Sequence, residues 1–194
     1  MRKLLAGAVF VSALALAGSG LAQSRGEPSS AEATAQRLIG ERIAAFRAEF
    51  APDTPPLVSD PDLVRIARAR SSALASGAPF SHQDFEGRYP AIEMVKARFG
   101  PYGYIGENIA METNASRAFN AEAFARRTVD GWMASEEHRD NILSPDYTRT
   151  GIGVVIFRDR AYATQIFRGP PPPAKRRQPL RPRGPGGAWS ANPF

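Results

Sequence analysis

The sequence predicts an α+β fold, with a sheet sandwiched between helical layers as three layers, α/β/α. Three observations carry this. Apolar residues recur at helical spacing in four separate stretches ahead of residue 135. Two β-rich runs, TGIGVVIF and AYATQIF, then follow each other, joined by Arg158, Asp159 and Arg160, and read as an antiparallel hairpin. Short segments rich in Gly, Pro and aromatics separate the periodic ones, which suits helices layered on a sheet.

Taken in order, residues 1–22 read as an export signal. Arg2 and Lys3 precede the apolar run LLAGAVFVSALALA, and small residues lead to a cleavage point after Ala22. The run is shorter than the roughly 20 residues that cross a bilayer, which disfavours an uncleaved anchor. Residues 23–33 are small and polar around Pro28 and read as a linker, leaving 34–168 as the folded domain. Ile39, Ile43, Phe46 and Phe50 predict a first helix, with Thr34 as a cap and Pro52 beyond its end. The connection APDTPPLVSDPD carries Leu57 inward and offers Ser59 or Asp60 as the cap of a second helix, with Pro61 at its first position. In that helix Leu63, Ile66, Ala67, Arg70 and Leu74 share a face, and Gly77 and Pro79 end it.

PFSHQDFEGRYP has no period and reads as a loop. Residues 91–99 predict a short helix with Ile92, Val95 and Phe99 on one side, and 103–111 an irregular or strand-like approach. A fourth helix begins near Asn120. Phe124, Thr128 and Trp132 form one row and Ala125, Val129 and Met133 the next, so its apolar face is broad. In the hairpin, Gly151, Gly153 and the β-branched residues disfavour a helix. Residues 169–194 combine many Pro and Gly with basic charge and are expected to form a disordered, partly polyproline tail.

The net charge of +6 and the pI near 10.2 invite a nucleic-acid reading, but position argues against it. Arg2 and Lys3 at one end, and Arg168, Lys175, Arg176, Arg177, Arg181 and Arg183 at the other, lie in stretches without an acid. The body between them carries slightly more acid than base, so no basic groove and no specific nucleic-acid partner are implied. The cationic tail is left to contact anionic envelope surfaces or to serve as a solvated extension. The chain has no cysteine, so an exported product holds together without disulfides, as suits a bacterial-type secreted domain.

The chemistry-bearing residues concentrate in WMASEEHRDNIL at 132–143. His138, there, and His82, in the loop, are the only histidines, and Glu107 lies between them in GENIAM. Each has a bland alternative: His82 can satisfy loop carbonyls, and Glu107 can cap a backbone N–H. Ser135, Glu137 and His138 suggest a hydrolase, but a nucleophile and base three apart on one helix seldom reach triad geometry. No GxSxG elbow is present, so Ser135 reads better as a local cap. His82, His138 and Glu107 supply three candidate metal ligands, with water as a fourth, although HExxH, CxxC and EF-hand spacings are absent. Arg139 and Asn141 are expected to pin the following loop.

Taken together, FSH, GENIA, WMASEEHRDNILSPDYTRTGIGV and YATQIF, in this order, resemble the CAP superfamily: cysteine-rich secretory proteins, antigen 5 and pathogenesis-related proteins, or the SCP domain. The likeness is to its cysteine-free bacterial branch and covers residues 38–167. The resemblance implies an α/β/α sandwich, secretion or periplasmic export, and a cleft where His and Glu side chains meet. It also implies a small, lipid-like or envelope-derived ligand and a divalent ion such as zinc or calcium, with a peptidase-like hydrolase as the alternative. His82 matches the first cleft His of that family and Glu107 the Glu of its GEN motif. Ser135 stands where animal and plant members have a second Glu, and Tyr162 where they have a second His. His138 is then expected to restore a His to the cleft, with Ser135, Glu137 and Tyr162 beside it. Glu136 and Glu137 are expected to raise the cation affinity of the site or the pKa of His138.

Overall fold

The computed structural model describes residues 27–101, 103–113, 115 and 119–171. The expected export signal, the start of the expected linker and, from residue 172 onward, the expected tail lie outside the described residues. Helix α1 spans Ser30–Phe50 and begins earlier than expected. Ser29, not Thr34, is its cap: the Ser29 hydroxyl accepts from the Glu32 backbone N–H while the Glu32 carboxylate accepts from that of Ser29. This reciprocal box satisfies two amides that would otherwise have no helical partner. Part of the expected linker is therefore helix.

The connection contains a short strand, β1 (Val58–Ser59), before α2 (Pro61–Ala75). Asp60 is the cap of α2, accepting from the backbone of Asp62 and Leu63. Helix α3 is Pro90–Phe99, with Pro90 at its first position. The strand-like approach is a full strand, β2 (Ile105–Thr113). Asn120 caps α4 (Ala121–Ala134) through Ala123 N–H. A break at Ser135 starts a separate helix, α5 (Glu136–Leu143), and the hairpin follows as β3 (Arg149–Phe157) and β4 (Arg160–Arg168).

The sheet order is β1-β3-β4-β2, antiparallel except for the parallel β1-β3 pair. Alternation along the strands divides the core between two faces. On one, Ile152, Val154, Ala161, Ala163 and Phe167 pack with Ile39 and Ile43 of α1, Phe124, Val129 and Trp132 of α4, and Ile142 of α5. On the other, Ile166 packs with Leu63, Ile66 and Ala67 of α2 and with Ala91 and Val95 of α3. These are the three α/β/α layers. Where β1 ends, α1 covers the free edge of β3: Gln36 and Glu32 accept from the backbone of Val154 and Ile156, so the edge cannot recruit another strand.

Helix α2 approaches β3 so closely that two strand positions must lack a side chain. A methyl group at Gly151 would overlap the backbone of Leu63 and Val64, and one at Gly153 that of Ala67 and Arg68. The glycines that mark the hairpin in the sequence are thus sites of contact between backbones. Helix α4, by contrast, has open space at Gly131. Gly153→Ala is expected to destabilise the protein by about 1–3 kcal/mol or more, and Gly131→Ala to stabilise it by about 0.5–1 kcal/mol through the helix. Urea midpoints should move in opposite directions for the two variants.

Candidate functional site

The site forms where the edge strand β2 meets the loop between α2 and α3 on one side and α5 on the other. Its centre is Glu107, whose side chain projects to the α2 face. Glu107 Oε1 accepts from Arg70 Nε at 3.0 Å, and Oε2 meets His82 Nδ1 at 2.8 Å. The side chains of Arg70 and Glu107 are 1% and 7% exposed, whereas that of His82 is 44% exposed. Arg70 also donates Nη2 to the carbonyl of Ser81, so one guanidinium fixes both the carboxylate and the residue before His82. A carboxylate only accepts, so Nδ1 of His82 carries the hydrogen and Nε2 is the nitrogen left to a ligand.

Asn108, the next residue of β2, points to the opposite face and is fully buried. It donates to the carbonyl of His138 at 3.1 Å and accepts from Asn141 at 2.9 Å, while Asn141 also reaches the carbonyl of Glu107. Trp132 Nε1 donates to the carbonyl of Ile109 at 3.0 Å. The WMASEEHRDNIL segment is therefore fastened to the outer edge of β2. Gly106 leaves room for this, since a Cβ there would lie 2.6 Å from the Tyr147 hydroxyl and 2.9 Å from Asn141 Oδ1. Asn141 ties strand, helix and the following loop together, through Tyr147; Arg139 instead turns back to the carbonyl of Met133.

The His82 and His138 rings lie 6.3 Å apart between centroids, tilted by 56°. Beside them a groove of about 450 Å³ runs along β2, lined among others by Phe80, Ile109, Met111, Trp132, Ser135 and His138. Phe80 and Met111 are 49% and 38% exposed, so the groove has apolar sides and a polar head.

Of the expected cleft residues, His82, Glu107 and His138 converge, and Ser135 lies at the rim. Its hydroxyl makes no cap to α5 and bonds the Glu137 carboxylate instead, at 3.1 Å. Glu137 stands on the surface with Ser135 and does not line the groove. Its carboxyl is held below the usual range by its own backbone N–H and then by Ser135. Tyr162 is buried beneath the floor, against Leu74 and Ile109. The expected raised pKa of His138 is also reversed: burial first, and His82 second, push it below the usual histidine range, against a weaker opposing pull from Glu137. Among the described residues no three His, Cys, Asp or Glu side chains are spaced to hold a metal ion. Both Glu107 oxygens are engaged, Oε1 by Arg70 and Oε2 by His82.

Arg70 and Asn108 are the residues that sequence reasoning passed over. Arg70 did carry a signal, as a charged residue within the apolar row of α2, where an unpaired cation would be costly. Asn108 carried none beyond its place in the motif.

Comparisons with known proteins agree with this architecture. The family model described as the Cysteine-rich secretory protein family, CAP, matches residues 41–167. The uncharacterized protein YkwD of Bacillus subtilis is 35% identical over 100 residues, a match spanning 52% of this chain and 35% of YkwD. An outer surface protein of Borrelia burgdorferi has a TM-score of 0.61 at 16% identity, covering 75% of this chain and 98% of its own. An extracellular SCP-domain protein of Bacillus anthracis has a TM-score of 0.53 at 24% identity, covering 71% of this chain and 41% of its own. Both structures share the fold.

Because the folded state resists protonating His138, the unfolded chain binds more protons between the two pKa values. The His138 contribution to stability is present above its ordinary pKa and is lost as pH falls through its lower folded value. Nuclear magnetic resonance titration is expected to place His138 below the ordinary value, and His138→Gln is expected to flatten the loss of stability on acidification from neutral pH.

Proposed function

This chain belongs to the Cysteine-rich secretory protein family, CAP, and on that premise we propose that it is an exported binding module. Its cleft takes a small, lipid-like or envelope-derived molecule, with the apolar part along β2 and a polar head at His82 and His138. The observation that carries this reading is the pairing of a solvent-facing His82, held by the buried Arg70 and Glu107, with the apolar-sided groove beside it. Such a combination of apolar walls and a few fixed polar groups is how small-molecule sites recognise and orient a ligand. Export rests on the signal at residues 1–22, and it accords with an extracellular and an outer-surface protein among the fold neighbours. No helix among the described residues is long and apolar enough to cross a membrane.

A second reading, a peptidase-like hydrolase, is favoured by one observation. Glu107 orients His82 so that Nε2 faces outward, which is the arrangement of a general base. The neighbouring hydroxyl does not complete it, because Ser135 is turned to Glu137. A divalent ion at His82 Nε2 and His138 would leave the Arg70–Glu107 pair intact, and one reaching Glu107 would use the second lone pair of an oxygen already held by Arg70 or His82. Adhesion through the cationic tail is independent of the cleft.

Mass spectrometry of the intact exported protein is expected to reveal a copurifying small molecule. His82→Ala and Met111→Arg should each lose it while keeping the native thermal midpoint. Equal occupancy of all three proteins would contradict the cleft as the binding site, and catalytic turnover of the released compound would favour the hydrolase.

A further inference from the structure

The groove beside the histidines wraps the outer edge of β2, the last strand of the sheet. Ile109 and Met111, on the α2 face, line it together with Ala110 and Glu112 of the opposite face, so the edge itself is part of the wall. Alternate residues of such a strand turn their backbone N–H and carbonyl toward the neighbouring strand or away from it. Tyr104, just ahead of β2, accepts from Gly169 beyond the end of β4, whereas the carbonyls of Glu107 and Ile109 accept from Asn141 and Trp132. The odd-numbered positions therefore face outward, and Met111 is the next of them. On that side its N–H and carbonyl have no partner among the described residues.

At the opposite edge of the sheet, Gln36 and Glu32 seal β3. An edge left open is ordinarily blunted by Lys, Pro or a bulge. Met111 is instead apolar and 38% exposed. Across the groove stands Gly131, in the interior of α4. Glycine weakens a helix there, and a Cβ on it would meet nothing within 4 Å, so no contact inside the chain excludes a side chain. What Gly131 preserves is space in the groove that Met111 borders.

We infer that the groove takes an extended, uncharged peptide segment, added as a further strand to the edge of β2. This names the class of envelope-derived molecule and rests on reading the cleft as a binding site. A residue opposite Met111 exchanges both backbone bonds with it, as in an antiparallel pair, and Trp132 and Asn141 stop the pairing at Ile109. A paired strand lies about 4.8 Å out, in the space that Gly131 leaves. Arg127 bonds both oxygens of Glu112, so the charges lining the groove neutralise each other and offer a charged segment no counter-ion. An alkyl chain fits the walls but leaves both Met111 groups unpaired. The chain's own residues 169–194 are dense in proline, which has no N–H to give, and make a poor occupant.

The test is a library of capped hexapeptides of Ala, Ser, Thr, Val and Leu, incubated with the full exported protein. Peptides retained through gel filtration are read by mass spectrometry, and the best retained is resynthesised with each backbone nitrogen methylated in turn. It is expected to shift the amide signals of Met111 and Thr113 and to slow hydrogen exchange at Met111. At least one methylated form should bind about ten-fold more weakly, and Gly131→Leu should lose the peptide. If that variant fails to fold, the methylated series and Met111 exchange decide the matter on the native protein. Equal binding of every methylated form, or a Met111 amide already protected by a second copy or by residues 172–194, would overturn the inference. No retained peptide, with a copurifying small molecule still lost in His82→Ala, overturns strand addition and leaves the cleft a binding site. No retained peptide and no such molecule overturns both.

Discussion

The buried ion pair between Arg70 and Glu107 is the interaction on which the rest of the structure depends. Desolvating two charges is expensive, and such a pair is seldom worth more than a well-packed apolar substitute. Once present, however, it tolerates little displacement, because an orphaned partner costs about 3–5 kcal/mol. It therefore sets the relation between α2, which carries Arg70, and β2, which carries Glu107. The same guanidinium holds the carbonyl of Ser81, so the loop bearing His82 is located by the same group. The close seating of α2 on the sheet is permitted by Gly151 and Gly153, far from the cleft in sequence.

One strand serves both walls. Successive residues of β2 point to opposite faces, so Glu107 reaches α2 while Asn108 reaches α5. Asn108 and Asn141 then position His138 through its backbone, and Trp132 closes the strand edge. The two histidines consequently approach each other from different layers. Their surroundings differ: His82 has a carboxylate partner and solvent, whereas His138 has burial and a neighbouring ring.

The layers and most elements were legible in the sequence because apolar periodicity, proline positions and β-branched runs report burial directly. Asp60, Pro61 and Asn120 mark helix starts in the structure as they do in the sequence. Thr34 misled because a polar residue can cap only where the chain enters the helix, and the Ser29 and Glu32 pair entered it earlier. Convergence of His82, Glu107 and His138 was legible through family likeness rather than spacing, since pairing across a sheet edge leaves no local period. Tyr162 and Glu137 lie away from the groove for related reasons. Alternation in β4 turns Tyr162 toward Leu74 and Ile109, and a carboxylate at the exposed start of α5 finds the Ser135 hydroxyl before it finds the cleft. The direction of the His138 shift needed burial, which its sequence neighbours do not report.

The tautomer of His82 tests the central claim most directly, read by long-range nitrogen–proton correlation in the native protein and in Glu107→Gln. The account predicts hydrogen on Nδ1 in the native protein. In the variant it moves to Nε2, because the single amide oxygen stays with Arg70 and the NH2 group faces the ring. A native His82 with hydrogen on Nε2, or a tautomer indifferent to Glu107→Gln, would contradict it.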